Sequence, residues 1–224
     1  MQKRISSAQI IAIITIACLL MAFVDTVWQP GYIIKSSIKI ALFLLLPLAY
    51  SKIKNGVSYK YLFKFDWKHF GISIGMGLAV FAFILAAYKI LGPFFDFSSV
   101  TKSMEKEAGI TRDNFLFIAV YISFVNALLE EFFFRGFAYL ELKKWTSRGT
   151  ALTVSAGAFA LYHISIMLSW FTIPLFILLL TGLFIGGVIF NLLNEHSNNI
   201  YSSWMVHMFS NFAINTVGLL LFKG

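Results

Sequence analysis

The sequence predicts an all-α protein, a polytopic bundle of about seven transmembrane helices, or eight with a re-entrant or missed helix. Hydrophobic residues make up 59% of its 224 residues and charged residues only 12%, whereas a soluble domain usually has about 25% charged residues. Long stretches contain no Asp, Glu, Lys or Arg, and the longest is residues 149–194. Cys18 is the only cysteine, which excludes a disulfide-stapled secreted fold.

About 20 apolar residues are enough for a helix to cross a hydrocarbon core of about 30 Å. The expected spans are residues 5–24, 31–50, 70–91 and 114–140, two within 149–194 with a break near Ser169 to Pro174, and 200–222. Lys35 and Lys39 lie near one end of the second span, where their side chains are expected to snorkel to the interface. Thr111 or Asp113 is expected to cap the fourth span.

The basic residues of the loops indicate how the chain is oriented. Lys3 and Arg4, five lysines in 51–69 and three basic residues in 141–148 fall on one side of the membrane. The loop 92–113 on the other side has three basic residues against four acidic ones. Because cytoplasmic loops carry an excess of Lys and Arg, we expect a cytoplasmic N-terminus in a multi-pass protein of the cell membrane.

The net charge of +8 suggests anionic lipid as a partner on the cytoplasmic side, and nucleic acid is not expected to be one. In the segment 52–69 aromatic residues alternate with lysines, which favours a stretch lying at the lipid headgroups. Lysine outnumbers arginine, and isoleucine and phenylalanine are frequent. We therefore expect a bacterial source with an AT-rich genome.

Small residues indicate close helix packing at several places. Gly182 and Gly186 are four residues apart, as are Gly71 and Gly75, and both pairs are expected to be packing notches. The small residues 155–158 are expected to let another helix, or else a substrate backbone, approach next to Phe159, and helix packing is the favoured use.

The fourth span contains three ionisable residues, and such groups inside a membrane are costly unless they are paired or functional. Glu131 and Arg135 are four apart with the acid first, the favourable arrangement for an ion pair on one helix face. Glu130 lies about 100° around the helix and has no cationic partner in its own helix. Glu131 and Arg135 are therefore expected to be structural, and Glu130 to be available for chemistry.

Two later spans carry His163 and His207, and Asn211 follows His207 by one turn on the same face. Any one of these residues alone is often only a hydrogen-bonded residue of the bundle. Together with Glu130, at compatible depths, they favour a polar site in which Glu130 acts as general base and His163 holds the water or shares its proton. His207 and Asn211 would donate to a developing oxyanion.

Other chemistries have less support in the sequence. Gly-x-Ser-x-Gly, which marks one class of serine nucleophile, is absent. Glu and two His are adequate Zn²⁺ ligands, but there is no His-Glu-x-x-His. We expect no cofactor, with a divalent metal left open. A small transporter is a further alternative, although no internal repeat supports it.

Three motifs occur in this order, each in an apolar span: Glu130-Glu131-x-x-x-Arg135, Phe159-x-x-x-His163 and His207-x-x-x-Asn211. This pattern resembles the CAAX prenyl protease and bacteriocin-processing family, also called the Abi family. The resemblance covers residues 114–215, and the first three spans match it only as membrane spans. We expect a single membrane domain over 1–224, with N-terminal spans and loops in 1–113 and a catalytic core in 114–215.

The resemblance implies an intramembrane endopeptidase of the glutamate type that acts on a membrane-associated peptide or protein. It implies that Glu130 activates water with help from His163, that His207 and Asn211 form the oxyanion hole, and that Glu131 and Arg135 maintain the site. The family's best-known members remove the last three residues of prenylated CAAX proteins. Its bacterial members are linked to peptide processing and bacteriocin self-immunity. A non-proteolytic immunity or membrane scaffold protein is therefore the alternative.

Overall fold

The computed structural model describes residues 6–54, 58–167 and 170–222, without the side chains of residues 107, 108 and 166. Every regular element in these ranges is a helix, so the predicted all-α fold is confirmed. The helices are α1 (Ser7–Trp28), α2 (Tyr32–Ile53), α3 (Trp67–Phe94), α4 (Ser98–Ala108), α5 (Phe115–Lys144), α6 (Arg148–Tyr162), α7 (Ile164–Met167), α8 (Ile173–Ser197) and α9 (Tyr201–Leu221). Lys3, Arg4 and Ser169, to which the sequence analysis assigned places, lie outside the described residues.

Six of these helices, α1, α2, α3, α5, α8 and α9, are long and apolar enough to cross a membrane. The chain is a multi-pass membrane protein. The fifth predicted span differs from the others because α6 has only 15 residues and His163 separates it from α7. The backbone N–H of His163 donates to the Ala160 carbonyl at 3.1 Å, so the last turn tightens and the helix ends.

The bundle has a basic end, formed by residues 58–66, 141–148 and 195–200, and an opposite end, formed by residues 95–114 and 170–172. At the basic end Arg148 Nε donates to Glu195 Oε1 at 3.0 Å. At the opposite end Ser99 Oγ donates to the Trp170 carbonyl at 2.8 Å. Arg148 and Trp170 therefore lie at opposite ends of the bundle, although no single helix among the described residues covers this distance.

The start of α5 differs from the prediction. Neither Thr111 nor Asp113 caps it, because Asn114 is the residue before the helix and makes no side-chain cap. Instead, the Asn114 amide closes the preceding turn: Oδ1 accepts from the Thr111 N–H at 2.8 Å and Nδ2 donates to the Gly109 carbonyl at 2.8 Å. Pro174, at the end of the predicted break, lies in the first turn of α8.

Helix α5 lies at the centre of the molecule. All its residues from Leu129 to Leu142 are buried, and they pack against α1, α2, α6, α8 and α9. Phe133 stacks on Phe43 of α2 with ring centroids 4.3 Å apart. The helix contains two π-helical stretches, Ile122–Asn126 and Glu131–Glu141, and such wide turns are frequent at functional sites.

The glycines that bring helices together are not the predicted pairs. A Cβ atom at Gly182 or Gly186 would meet no atom within 4 Å, whereas one at Gly187 would lie 3.1 Å from the Ala156 Cα of α6. One residue along a helix corresponds to about 100°, which is enough to turn Gly187 towards α6 while Gly186 faces away. The predicted approach of another helix at the small patch 155–158 is present, and α8 is that helix.

Candidate active site

Three helices bring Glu130, His163 and His207 to one point inside the bundle. Glu130 belongs to α5, His163 follows α6, and His207 belongs to α9. The Oε2 of Glu130 lies 3.9 Å from Nε2 of His163 and 3.8 Å from Nε2 of His207. Both distances exceed a direct hydrogen bond, so the three atoms face one another across a small gap. The side chains of Glu130, His207 and His163 are 2%, 8% and 18% exposed.

The two oxygens of Glu130 have different surroundings. Oε1 accepts hydrogen bonds from Nδ2 of Asn126 at 2.9 Å and from Nζ of Lys39 at 3.2 Å. No described residue donates a hydrogen bond to Oε2. The oxygen that faces the histidines is therefore the one with a lone pair available for a further partner.

Lys39 does not snorkel to the interface as predicted. Its side chain is 12% exposed, and its ammonium forms an ion pair with Glu130 and donates to Asn126 Oδ1 at 2.6 Å. The neighbouring Lys35 lies 3.5 Å from Asp25 of α1. Both lysines have a carboxylate partner inside the protein, which removes the reason to extend their stems to the headgroups. Glu130 lacks a cationic partner in its own helix, as predicted, but it has one from α2.

The end of α6 determines which nitrogen of His163 faces the gap. The backbone N–H of His163 donates to Ala160, so it does not bond to the carbonyl of Phe159 as it would in a continuing helix. The His163 ring takes this place, and its Nδ1 lies 2.7 Å from the Phe159 carbonyl oxygen. A carbonyl oxygen only accepts, so Nδ1 carries the proton, and in the neutral ring Nε2 is an acceptor.

His207 is held differently, by a carboxylate. Its Nδ1 lies 2.8 Å from Oε1 of Glu131, so Nδ1 carries the proton and Nε2 points at Glu130. The ring stacks on Phe190 with centroids 5.4 Å apart. The two histidines thus differ in what holds them: a backbone carbonyl contacts Nδ1 of His163, whereas a carboxylate contacts Nδ1 of His207.

Glu131 and Arg135 form the pair that the sequence predicts, and neither side chain is exposed. Arg135 Nε lies 3.3 Å from Oε2 of Glu131, in an orientation that does not make a hydrogen bond. The guanidinium packs over the ring of Phe159 at 4.0 Å and over that of Phe190 at 5.0 Å. A third ring, that of Phe134, lies at 6.0 Å, so Arg135 is held by one opposite charge and three aromatic faces.

Asn211 is not hydrogen-bonded to the other site residues. Its Nδ2 donates to the carbonyl of Ile122 at 3.3 Å. One turn further along α9, Nδ2 of Asn215 donates to the carbonyl of Ala119 at 3.3 Å. These amides join α9 to α5 beside its first π-helical stretch, Ile122–Asn126.

Glu130, His163 and His207 lie in a segment of the chain that matches the model of a known protein family. Residues 112–213 match the family model described as type II CAAX prenyl endopeptidase Rce1-like. The family resemblance is therefore confirmed. The Rce1-like segment includes Glu130, His163, His207 and Asn211, and does not include Lys39. No curated protein and no solved structure gives a significant match. At the level of the family, the match and the membrane helices support an intramembrane peptidase.

Within the described ranges, no group of three or more His, Cys, Asp and Glu side chains is arranged to hold a metal ion. The Nδ1 atoms of both histidines are already engaged, by Phe159 and by Glu131. The prediction that no cofactor is needed stays a prediction.

Sequence reasoning missed two residues of the site, Lys39 and Asn126. Asn126 is four residues before Glu130 on the same helix face, a spacing at which side chains interact, so a local signal was present. For Lys39 the signal was weaker. It lies eight residues inside α2, deeper than Lys35, but its partner is 91 residues away in the sequence.

Proposed function

We propose that the protein is an intramembrane endopeptidase, in which Glu130 is the general base for hydrolysis of a peptide bond in a membrane-associated peptide or protein. The observation that carries the proposal is the gap between Glu130 Oε2, His163 Nε2 and His207 Nε2. Glu130 Oε2 and Nε2 of His163 are both acceptors, and a water molecule is a partner that can donate one hydrogen to each of them.

In the reaction Glu130 Oε2 takes a proton from the water while the water oxygen attacks the carbonyl carbon of the substrate. His163, whose Nε2 is an acceptor, holds the same water in line. The C–N bond of the tetrahedral intermediate then breaks, and the proton on Glu130 goes to the leaving amine. No covalent bond to the protein forms at any step.

The oxyanion of the intermediate needs donors. His207 supplies Nε2–H, while its Nδ1–H donates to the Glu131 carboxylate at 2.8 Å. Asn211 is the second donor: its amide nitrogen carries two N–H groups, and only one is needed for the bond to Ile122. Arg135 in turn keeps Glu131 in place.

The substrate reaches this site within a membrane whose cytoplasmic face meets the basic end. Lys60 and Lys64 are exposed there, beside the exposed rings of Phe63, Phe65 and Trp67. Lysines among aromatic side chains suit anionic headgroups. We propose this orientation for a bacterial cell membrane, with the N-terminus inside and no nucleic acid as partner.

The test compares wild type with Glu130→Gln, purified in detergent and incubated with farnesylated CAAX peptides and a library of other membrane-associated peptides. Products are identified by mass spectrometry. Glu105→Gln, an exposed carboxylate of α4, is the matched control. We expect products from wild type and Glu105→Gln and none from Glu130→Gln. Equal products from all three would refute the role of Glu130. A lack of products from all three would favour the alternative of an immunity or scaffold protein.

The same assay tests whether a divalent metal is required, which the sequence leaves open. With a chelator present, wild type is expected to form the same products at an unchanged rate. A loss of activity that Zn²⁺ restores would show instead that Glu130 and the two histidines hold a metal ion during catalysis.

A further inference from the structure

Lys39 lies outside the Rce1-like segment, yet it is the cation nearest to the proposed general base. It comes from α2, and its ammonium is enclosed by the ring of Tyr162 at 5.1 Å and by the ring of Phe43 at 5.9 Å. These aromatic faces hold the side chain in the bundle. The Lys39 side chain therefore belongs to the site and is held there by its aromatic neighbours.

Lys39, Asn126 and Glu130 form a closed triangle. Lys39 Nζ donates to Asn126 Oδ1 at 2.6 Å, Asn126 Nδ2 donates to Glu130 Oε1 at 2.9 Å, and Lys39 Nζ donates to the same Oε1 at 3.2 Å. Two donors from different helices thus hold one carboxylate oxygen. A carboxylate with one oxygen fixed in this way has its other oxygen fixed as well, and Oε2 is directed at the histidines.

The charge of Lys39 acts together with this geometry. A carboxylate that is 2% exposed inside a membrane protein is costly unless an opposite charge is close. Without that charge it takes up a proton, and a protonated glutamate cannot accept one from water. Besides the neighbouring Glu131, the other titratable groups that interact with Glu130 are His163, His207, Arg135, Tyr32, Tyr162 and Asp25. Asp25 is also paired with Lys35.

We propose that Lys39 is a positioning residue for Glu130: its ammonium keeps the Glu130 carboxylate ionised and directs Oε2 towards His163 and His207. This inference rests on the proposed function, because it assigns a role to Lys39 within the same site. It extends the site beyond the Rce1-like segment to α2.

The test measures the protonation of Glu130 without a substrate. Dicyclohexylcarbodiimide adds to protonated carboxyl groups in apolar surroundings, where the carboxyl oxygen bonds to the carbodiimide carbon and its proton goes to nitrogen. Mass spectrometry of peptides from the labelled protein reports the modified fraction of Glu130. We expect Lys39→Met to raise this fraction at neutral pH by about tenfold or more, since an adjacent opposite charge changes such an equilibrium by one to three orders of magnitude.

Lys35→Met is the matched control, because Lys35 is one turn away in α2, is similarly buried and pairs with Asp25 instead. It is expected to leave the labelling of Glu130 within about twofold of wild type. Lys39→Arg keeps the charge and should keep the labelling low. Lys39→Gln removes the charge but keeps a hydrogen-bond donor, and it serves if Lys39→Met does not fold.

Unchanged labelling of Glu130 in folded Lys39→Met or Lys39→Gln would overturn the inference, as would an equal rise in Lys35→Met. The peptide assay separates this failure from failure of the proposed function. If Glu130→Gln is inactive and Lys39→Met cleaves at the wild-type rate, the endopeptidase function is supported and the positioning role of Lys39 is refuted. If Glu130→Gln cleaves at the wild-type rate, the proposed function itself is refuted.

Discussion

Glu131 has two partners on opposite sides of one buried carboxylate. Oε1 meets the Nδ1 of His207 and Oε2 meets the guanidinium of Arg135. The sequence predicts the Arg135 contact, because a four-residue spacing on a helix is local. It does not predict the His207 contact, which joins residues 76 apart in the sequence. Glu131 therefore supports the proposed oxyanion donor directly as well as the shape of α5.

The first prediction concerns the ion pair of Glu131 and Arg135. Arg135→Met should lower the free energy of unfolding by about 3–5 kcal/mol, because it leaves the Glu131 carboxylate buried without its cation. Thermal unfolding in detergent measures the effect. The double variant Glu131→Gln/Arg135→Met should lose less than the sum of the two single losses, since the second change removes the unpaired charge. Wild-type stability of Arg135→Met would contradict the structural role of the pair.

At the scale of helices, the end of α6 and its contact with α8 hold His163. The carbonyl that α6 leaves free at Phe159 fixes the ring, and Gly187 of α8 approaches the α6 backbone at Ala156. Hydropathy predicts that an apolar segment exists here, but not where its helix breaks. The helix ends where the ring of His163, instead of a backbone N–H, bonds to the carbonyl of Phe159. Such a contact depends on tertiary structure and not on composition.

The second prediction compares two adjacent glycines of α8. Gly187→Leu should destabilise the protein by about 1–3 kcal/mol and lower its cleavage rate, because the new side chain has to separate α8 from α6 and shift His163. Gly186→Leu changes helix propensity in the same way but points into open space, so its stability and activity should match wild type. Thermal unfolding and the peptide assay measure both. Equal effects of the two substitutions would contradict the close approach at Gly187.

At the scale of the whole molecule, charge separates the two ends of the bundle. Glu195 accepts hydrogen bonds from Tyr139, Lys143 and Arg148, which joins α5, α6 and α8 at the basic end. The all-α bundle of apolar helices could be predicted from the sequence, because hydropathy is a property of segments, but the expected fifth span is two short helices and only six of the described helices are long enough to span. The convergence of Lys39, Glu130, His163 and His207 depended on how four helices pack, so spacing predicted only part of it.

The third prediction tests the proposed orientation. In a Cys18→Ser background, single cysteines at Lys64 and at Thr111 occupy exposed positions at the basic and the opposite end. With a membrane-impermeant maleimide, the Thr111→Cys variant should be labelled in intact cells. The Lys64→Cys variant should be labelled only after the cells are opened, because cytoplasmic loops carry the excess of basic residues. The reverse pattern would place the basic end outside.

The central claim is that Glu130 and His163 act as a unit on one water molecule, and a double-variant cycle of cleavage rates tests it most directly. Glu130→Gln is expected to lower the rate by roughly 10²–10⁴-fold, the contribution typical of a general base. His163→Gln should also be slow, and the double variant should be no slower than Glu130→Gln alone, because residues that act together are not additive. A folded Glu130→Gln protein with wild-type turnover, or a double variant whose loss equals the product of the two single losses, would contradict this mechanism.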